Sequence, residues 1–366
     1  MVVRNILLFS AYIFTTFAIS CQNQYNYDVS WFAAYKMPQM QGEPSGSAEG
    51  YGFYYLDVDN RKEFKPSPVA LSLDHQAIGY TLAPYYNRIN DPELLHVFYN
   101  DEHALNSSDL DPVSSFDESN VNPKFSNLAS VEKGHTKGVL LFDKDAGSGI
   151  WLIHSVPKFP AAYDKYEYPV TGTEYGQQFL CLTLDLQTLG QLGTVLFYNH
   201  PDIYSYRVPD WAKDISPDLV KVVNGQYNKD ENATHLQQPL PLKDPNSVPM
   251  EVFAKTHLLN DDLWAALVAP AYGALEVETW RRGYLIDPDC DTPNPVYDAQ
   301  EIKVGGSAEF KYTKDHSKYA RTLEQKNGKV CIGDINRMTS QFKRGGGTVC
   351  IQDPDLYNAY STIKEV

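Results

Sequence analysis

No two of the five cysteines stand in a Cys-x-x-Cys pair, and no cluster of metal-ligand spacing occurs, which argues against a zinc site. Disulfides are the better reading of those cysteines, and an odd number leaves one over. Cys331 and Cys350 flank a glycine-containing loop that a disulfide could close. Neither a metal nor another cofactor is expected. Positive charge is also short: Lys and Arg number 31 against 46 Asp and Glu, a formal net charge of -15. That balance argues against tight binding of a polyanion at neutral pH. In an acidic compartment the nine histidines would offset much of the deficit, and a local basic groove could outweigh the rest. Long apolar runs are missing beyond the first twenty residues, so no later stretch is expected to span a bilayer.

What is abundant is aromatic and apolar: 43% of the 366 residues are hydrophobic, with 26 Tyr and 16 Phe. The chain is therefore globular and long enough for one large domain or two smaller ones. Residues 1–20 read as a secretory signal peptide. Arg4 precedes the apolar run from Ile6 to Phe17, and Ala18-Ile19-Ser20 offers small residues for cleavage before Cys21. A membrane anchor would need a longer span. The mature protein is expected to be lumenal or extracellular, with sequons at Asn106 and Asn232.

Strand-like runs occur at Val29–Ala34, Gly50–Leu56, Leu94–Tyr99, Gly138–Asp143, Gly149–Ser155 and Leu275–Leu285. Short helices are expected at Asp185–Gly193 and Pro217–Val223, and a helical period runs from Phe253 to Leu267. His103–Asn127 reads as a long exposed loop, and the four-proline stretch 239–249 as a linker. The expected organisation is thus an N-terminal half over 21–238 and a C-terminal half over 250–366.

Each half carries His-x-Lys: His135-Thr136-Lys137 and His316-Ser317-Lys318, each followed by a turn and a strand with a polar tip. The tips are His154-Ser155 in one half and Gly333-Asp334-Ile335-Asn336 in the other. In extended chain, residues i and i+2 share a face, so the imidazole and ammonium of each motif project together. Two such pairs around one pocket suit a phosphodiester. The lysines, with Asn336 as a neutral donor, would hold the non-bridging oxygens. One histidine would attack phosphorus while the other protonates the leaving oxygen and then activates water. The other histidines apart from His154 follow no motif. Arg344-Gly345-Gly346-Gly347 reads equally well as a phosphate-cradling nest or as a tight turn.

The combination of Trp31-Phe32-Ala33-Ala34-Tyr35-Lys36, His135-Thr136-Lys137-Gly138-Val139-Leu140-Leu141, His154-Ser155-Val156-Pro157, Asp315-His316-Ser317-Lys318 and Arg344-Gly345-Gly346-Gly347-Thr348 resembles the deoxyribonuclease II family, over nearly all of the mature chain. The resemblance implies an α/β fold of mixed sheets flanked by helices, two phospholipase-D-like halves forming a pseudodimer in one chain. It implies a metal-independent acid endonuclease acting through a phosphohistidine. The products would be 3′-phosphate and 5′-hydroxyl ends, in lysosomal or secreted digestion of DNA from dying or engulfed cells. His135, Lys137, His316 and Lys318 would be catalytic, with His154 and Asn336 on the substrate phosphate. Asp143 is the candidate for the phospholipase-D aspartate, with no counterpart after Lys318.

The family pattern also implies disulfides Cys21–Cys181 and Cys331–Cys350, and leaves Cys290 as a free or intermolecular thiol because its partner near the C-terminus is missing. The expected partner is double-stranded DNA, with no membrane; the oligomeric state stays open, a homodimer included. Alternatives are a lipid phosphodiesterase of the wider phospholipase-D class, or a catalytically silent secreted paralogue that binds DNA or another partner. Retention of both His-x-Lys pairs argues against silence.

Overall fold

The computed structural model describes residues 18–42, 44–102, 133–163, 165–281, 286, 292–306 and 308–360. Most of the expected signal peptide, the 103–127 loop, Asn106 and Cys290 lie outside the described residues.

Two large sheets dominate. The first holds eight strands: β1 (Trp31–Lys36), β2 (Phe53–Asp57), β3 (Lys65–Pro66), β4 (Leu94–Asn100), β5 (Lys137–Asp143), β6 (Ser148–His154), β7 (Gln177–Asp185) and β8 (Ile203–Arg207), in the order β8-β4-β5-β6-β7-β1-β2-β3. The second holds seven: β9 (His235–Pro239), β10 (Met250–Lys255), β11 (Leu275–Glu278), β12 (Val296–Asp298), β13 (Tyr319–Thr322), β14 (Val330–Gly333) and β15 (Gly346–Ile351), ordered β9-β10-β15-β14-β13-β11-β12. The central five strands correspond: β4-β5-β6-β7-β1 in one and β11-β13-β14-β15-β10 in the other, every neighbouring pair antiparallel.

Alternating side chains explain the layering, because successive residues of a strand face opposite sides. Trp31, Ala33 and Tyr35 of β1, and Val252 and Ala254 of β10, enter one apolar core shared by both sheets. Phe32 and Ala34 point the other way, into a core beneath α1 (Ala77–Asn87). Phe253, Cys331 and Cys350 face a third core on the far side of the second sheet. Each fully buried large apolar side chain contributes about 1.5–3 kcal/mol. Disulfides Cys21–Cys181 and Cys331–Cys350 lie on these outer faces, one per sheet.

Helix α2 (Thr188–Asn199) fastens the sheets to one another. Leu189, Leu192, Val195 and Leu196 recur at helical spacing and are buried in the shared core, where the helix touches β7, β10 and β15. It ends at His200, which adopts a left-handed conformation (φ 49°) and returns its amide to Leu196.

Some expectations change. Residues Phe253–Lys255 belong to β10, and only the turns His257–Leu259 and Trp264–Val268 of the proposed 253–267 helix are helical. Short apolar runs satisfy both periods, and here strand pairing with β15 wins. The 239–249 stretch, expected to join two halves, connects β9 to β10 within one sheet, and that sheet already starts at His235. β11 stops at Glu278, short of the expected Leu285, whose neighbourhood lies outside the described residues.

Leu192→Ala is expected to lower unfolding free energy by about 2–5 kcal/mol in urea titration, through loss of apolar burial and a residual cavity. A loss below about 1 kcal/mol would contradict a core shared by both sheets.

Candidate active site

The strands deliver the two His-x-Lys motifs to one place. Lys137 opens β5, Lys318 immediately precedes β13, and both ammonium groups are nearly inaccessible to solvent. They are close enough that Lys137 disfavours the charge on Lys318, and Lys318 that on His135.

In the first motif, Lys137 Nζ donates to Asp101 Oδ1. Asp101 Oδ2 lies 3.3 Å from Arg344 Nη2 and 3.5 Å from His135 Nε2. Burial alone would raise the Asp101 carboxyl, but Lys137, His135 and Arg344 together hold it well below the usual range. His135 Nδ1 lies 2.6 Å from the Asp334 carbonyl; a carbonyl only accepts, so this nitrogen carries the proton. Burial lowers the His135 pKa to about 3, helped by Lys137, Arg344 and Lys318 and opposed by Asp101.

The backbone beneath this motif is held by the second sheet. His135 N–H donates to Gly345 O at 2.9 Å, and Arg344 donates to the carbonyls of Lys133 and Gly134, each at 2.9 Å. A Cβ on Gly134 or Gly345 would collide with the Asn199 carbonyl at the end of α2, which is why glycine stands at both. Lys255, at the end of β10, donates to the carbonyls of Phe342 (2.8 Å) and Arg344 (2.6 Å) and so anchors the loop that does this.

The second motif mirrors the first. Gly176 N–H donates to Lys314 O and His316 N–H to Gly176 O, both at 2.8 Å, so a loop of the first sheet grips the second motif. Lys36, at the end of β1, donates to the carbonyls of Thr173 and Tyr175 in that loop. Tyr35 of β1 donates to Asp315, which also accepts from Ser317 within the motif. Gln178 Nε2 bridges the sheets, donating to Lys318 O (2.5 Å) and Gly333 O (3.1 Å). The His316 ring stacks on Tyr175, centroids 4.2 Å apart and 8° from parallel, with Trp280 at 4.3 Å on a 45° tilt. Burial, and then Asp315, pushes the Glu278 carboxyl well above its ordinary value, with Arg281 opposing.

The remaining expected residues fall nearby. His154 ends β6, wholly buried against Phe159 and Phe179. Its pKa is lowered to about 3 by burial and then by Lys137. Its ring nitrogens meet no hydrogen-bond partner within normal geometry, although the nearby Val156 backbone opposes part of that lowering. Asn336 is buried with its Oδ1 unbonded. Asn232 is exposed, as a glycan acceptor requires. Asp143, expected beside the motif, sits instead at the opposite end of β5 from Lys137, paired with Arg88 at 2.5 Å. The carboxylate beside the motif is Asp101, from a neighbouring strand's end, which no spacing along the chain could reveal. Arg344 closes a turn, its N–H donating to Gln341 O at 3.1 Å, and beyond that turn its side chain reaches the Gly134 carbonyl while the Gly345 carbonyl accepts from His135. Among the described residues, no group of three or more His, Cys, Asp or Glu converges as a metal would require.

Two buried groups change the charge of the pocket near neutral pH. Lys318 is lowered to about 7 by burial and then by Lys137. Asp334 is raised to about 7 by burial, against its bond from the Gly347 amide and the two lysines. At pH 5 the first is a cation and the second neutral; above pH 7 the pocket loses one positive charge and gains one negative charge. Inhibition by sulfate, a dianion throughout, is therefore expected to weaken as pH rises through about 7. An inhibition constant unchanged between pH 5 and pH 8 would contradict this.

Comparison with known proteins identifies the family. A family model described as deoxyribonuclease II matches residues 20–365. Deoxyribonuclease-2 of Caenorhabditis elegans is 44% identical over 94% of this chain and 92% of its own length. Cell death-related nuclease 6 of the same organism is 32% identical over 99% and 92%, and deoxyribonuclease-2-alpha of Rattus norvegicus 31% over 94% and 93%. The chain belongs to the deoxyribonuclease II family and is a deoxyribonuclease II-type endonuclease.

Proposed function

We propose that the protein hydrolyses double-stranded DNA at acid pH without a metal, through a phosphohistidine, leaving 3′-phosphate and 5′-hydroxyl ends. The observation that carries this reading is the convergence of two His-x-Lys motifs, distant in sequence, whose lysines share one buried electrostatic environment. Two buried ammonium groups side by side repel each other. A phosphodiester between them would relieve that repulsion and gain charge-assisted hydrogen bonds. His135 and His316 supply the nucleophile and the proton donor, and Lys137 and Lys318 stabilise charge on the non-bridging oxygens.

Asn336, buried and able to donate from its amide nitrogen, and His154, close enough to Lys137 to feel its charge, are the residues assigned to the substrate phosphate. The matching order of the five central strands supports two phospholipase-D-like halves arranged as a pseudodimer. Two disulfides fit an oxidising compartment, and with the signal-like N-terminus they support a lysosomal or secreted enzyme. Relatives named as cell death-related nucleases support a role in degrading DNA of dying or engulfed cells.

Supercoiled plasmid treated with the secreted protein and excess EDTA should be nicked at pH 5 far faster than at pH 7.5, with 3′-phosphate ends. His316→Ala should lower cleavage by about 10²–10⁴-fold while secretion continues. EDTA-sensitive cleavage, 5′-phosphate ends or an active His316→Ala variant would each contradict the two-histidine mechanism.

A further inference from the structure

The two motifs sit in matching frames with unlike neighbours. In the register of the first sheet Tyr99 stands opposite Gly138, the residue after Lys137; in the second Glu278 stands opposite Tyr319, the residue after Lys318. Two residues further along, Asp101 and Trp280 therefore hold equivalent positions. Likewise Lys36 pairs with Gln177 and Lys255 with Gly346, so Tyr175 and Arg344, each two residues earlier, are also equivalent. Tyr175 reaches across to His316, and Arg344 reaches across to the Asp101 beside His135. One histidine is thus framed by an ion pair and the other by two aromatic rings.

Resting on the phosphohistidine reading above, we propose that His135 is the nucleophile and His316 the general acid, the difference being set by the Asp101–Arg344 and Trp280–Tyr175 pairs. The Nδ1–H of His135 is spent on the Asp334 carbonyl, which fixes the tautomer and leaves the Nε2 lone pair for attack. Asp101, whose carboxylate lies 3.5 Å from that ring, is already engaged by Lys137 and Arg344. Those two cations and Lys318 all oppose a positive charge on the ring. Around His316, by contrast, a parallel tyrosine face and a tilted indole stabilise an imidazolium through cation–π attraction. Asp315 and Glu278 are carboxyl groups packed behind this motif, and the cations near it are Lys318 and Lys314, the latter over the Tyr175 ring at 6.0 Å.

In the first step Nε2 of His135 forms a bond to phosphorus, the P–O5′ bond breaks, and O5′ takes the proton of His316. In the second, water attacks phosphorus, gives its proton to neutral His316, and the P–N bond breaks to release the 3′-phosphate.

Thymidine 3′-(4-nitrophenyl phosphate) tests the assignment, because nitrophenolate leaves without a proton. His316→Ala should lose about 10²–10⁴-fold on plasmid DNA, yet release a stoichiometric nitrophenolate burst and hold thymidine phosphate on the His135 peptide in mass spectra. His135→Ala should give no burst. Tyr175→Leu, which removes the stacked face, should move the alkaline limb of kcat/KM to lower pH. A burst from His135→Ala with the adduct on His316, a burst from neither variant while the wild type turns over, or an unmoved limb in Tyr175→Leu would overturn the assignment. A wild type that forms no histidine adduct while cleaving DNA would overturn the underlying phosphohistidine reading, and the assignment with it.

Discussion

Each His-x-Lys motif is fastened by backbone groups of the opposite sheet, and nearly everything else at the site depends on that exchange. His135 N–H is bound by the Gly345 carbonyl and His316 N–H by the Gly176 carbonyl. Behind each of those loops stands one buried lysine at a strand end, Lys36 or Lys255, satisfying its carbonyls. An unpaired buried carbonyl or ammonium is costly, so each group specifies where the other must be. Neither motif could be held in this way by its own sheet alone. The shared core around α2 keeps the two sheets at the spacing these bonds need.

Charge is concentrated against the trend of the whole molecule. A chain with net charge -15 gathers Lys137, Lys318 and Arg344 in one buried place with Asp101 as their immediate counter-ion. Burial and mutual repulsion bring Lys318 to about 7, and burial brings Asp334 to about 7 from below. Both changes favour an anion at acid pH. The site therefore carries its own reason for acid preference, independent of the protonation of surface histidines.

Strands β5, β6 and β14 were legible because they are short apolar runs bounded by turn residues, and the two motifs because His-x-Lys recurs; β13, with Arg321 and Thr322, is not an apolar run. The Cys331–Cys350 disulfide was legible from its flanking of a glycine-containing loop. Asp101, Tyr175, Trp280 and Gln178 were not. Each is brought to the motifs by cross-strand register or by the packing of one sheet on the other, which no local period encodes. Phe253–Lys255 misled for the opposite reason: its local apolar spacing fits a helix, and only the long-range partner β15 makes it a strand. Asp143 misled because spacing along a strand counts residues and not ends; seven residues of β5 separate its two tips by roughly 20 Å.

The claim that each motif is held from across the molecule is tested most directly by a double-mutant cycle between Tyr35 of the first sheet and Asp315 of the second motif. Tyr35→Phe, Asp315→Asn and the double variant would be compared by kcat/KM on plasmid DNA at pH 5. A hydrogen bond that positions the motif predicts a coupling of about 0.5–3 kcal/mol, the second substitution costing little once the first is made. Costs that simply add, within about 0.3 kcal/mol, would show that the contact does not position the motif and would contradict the account.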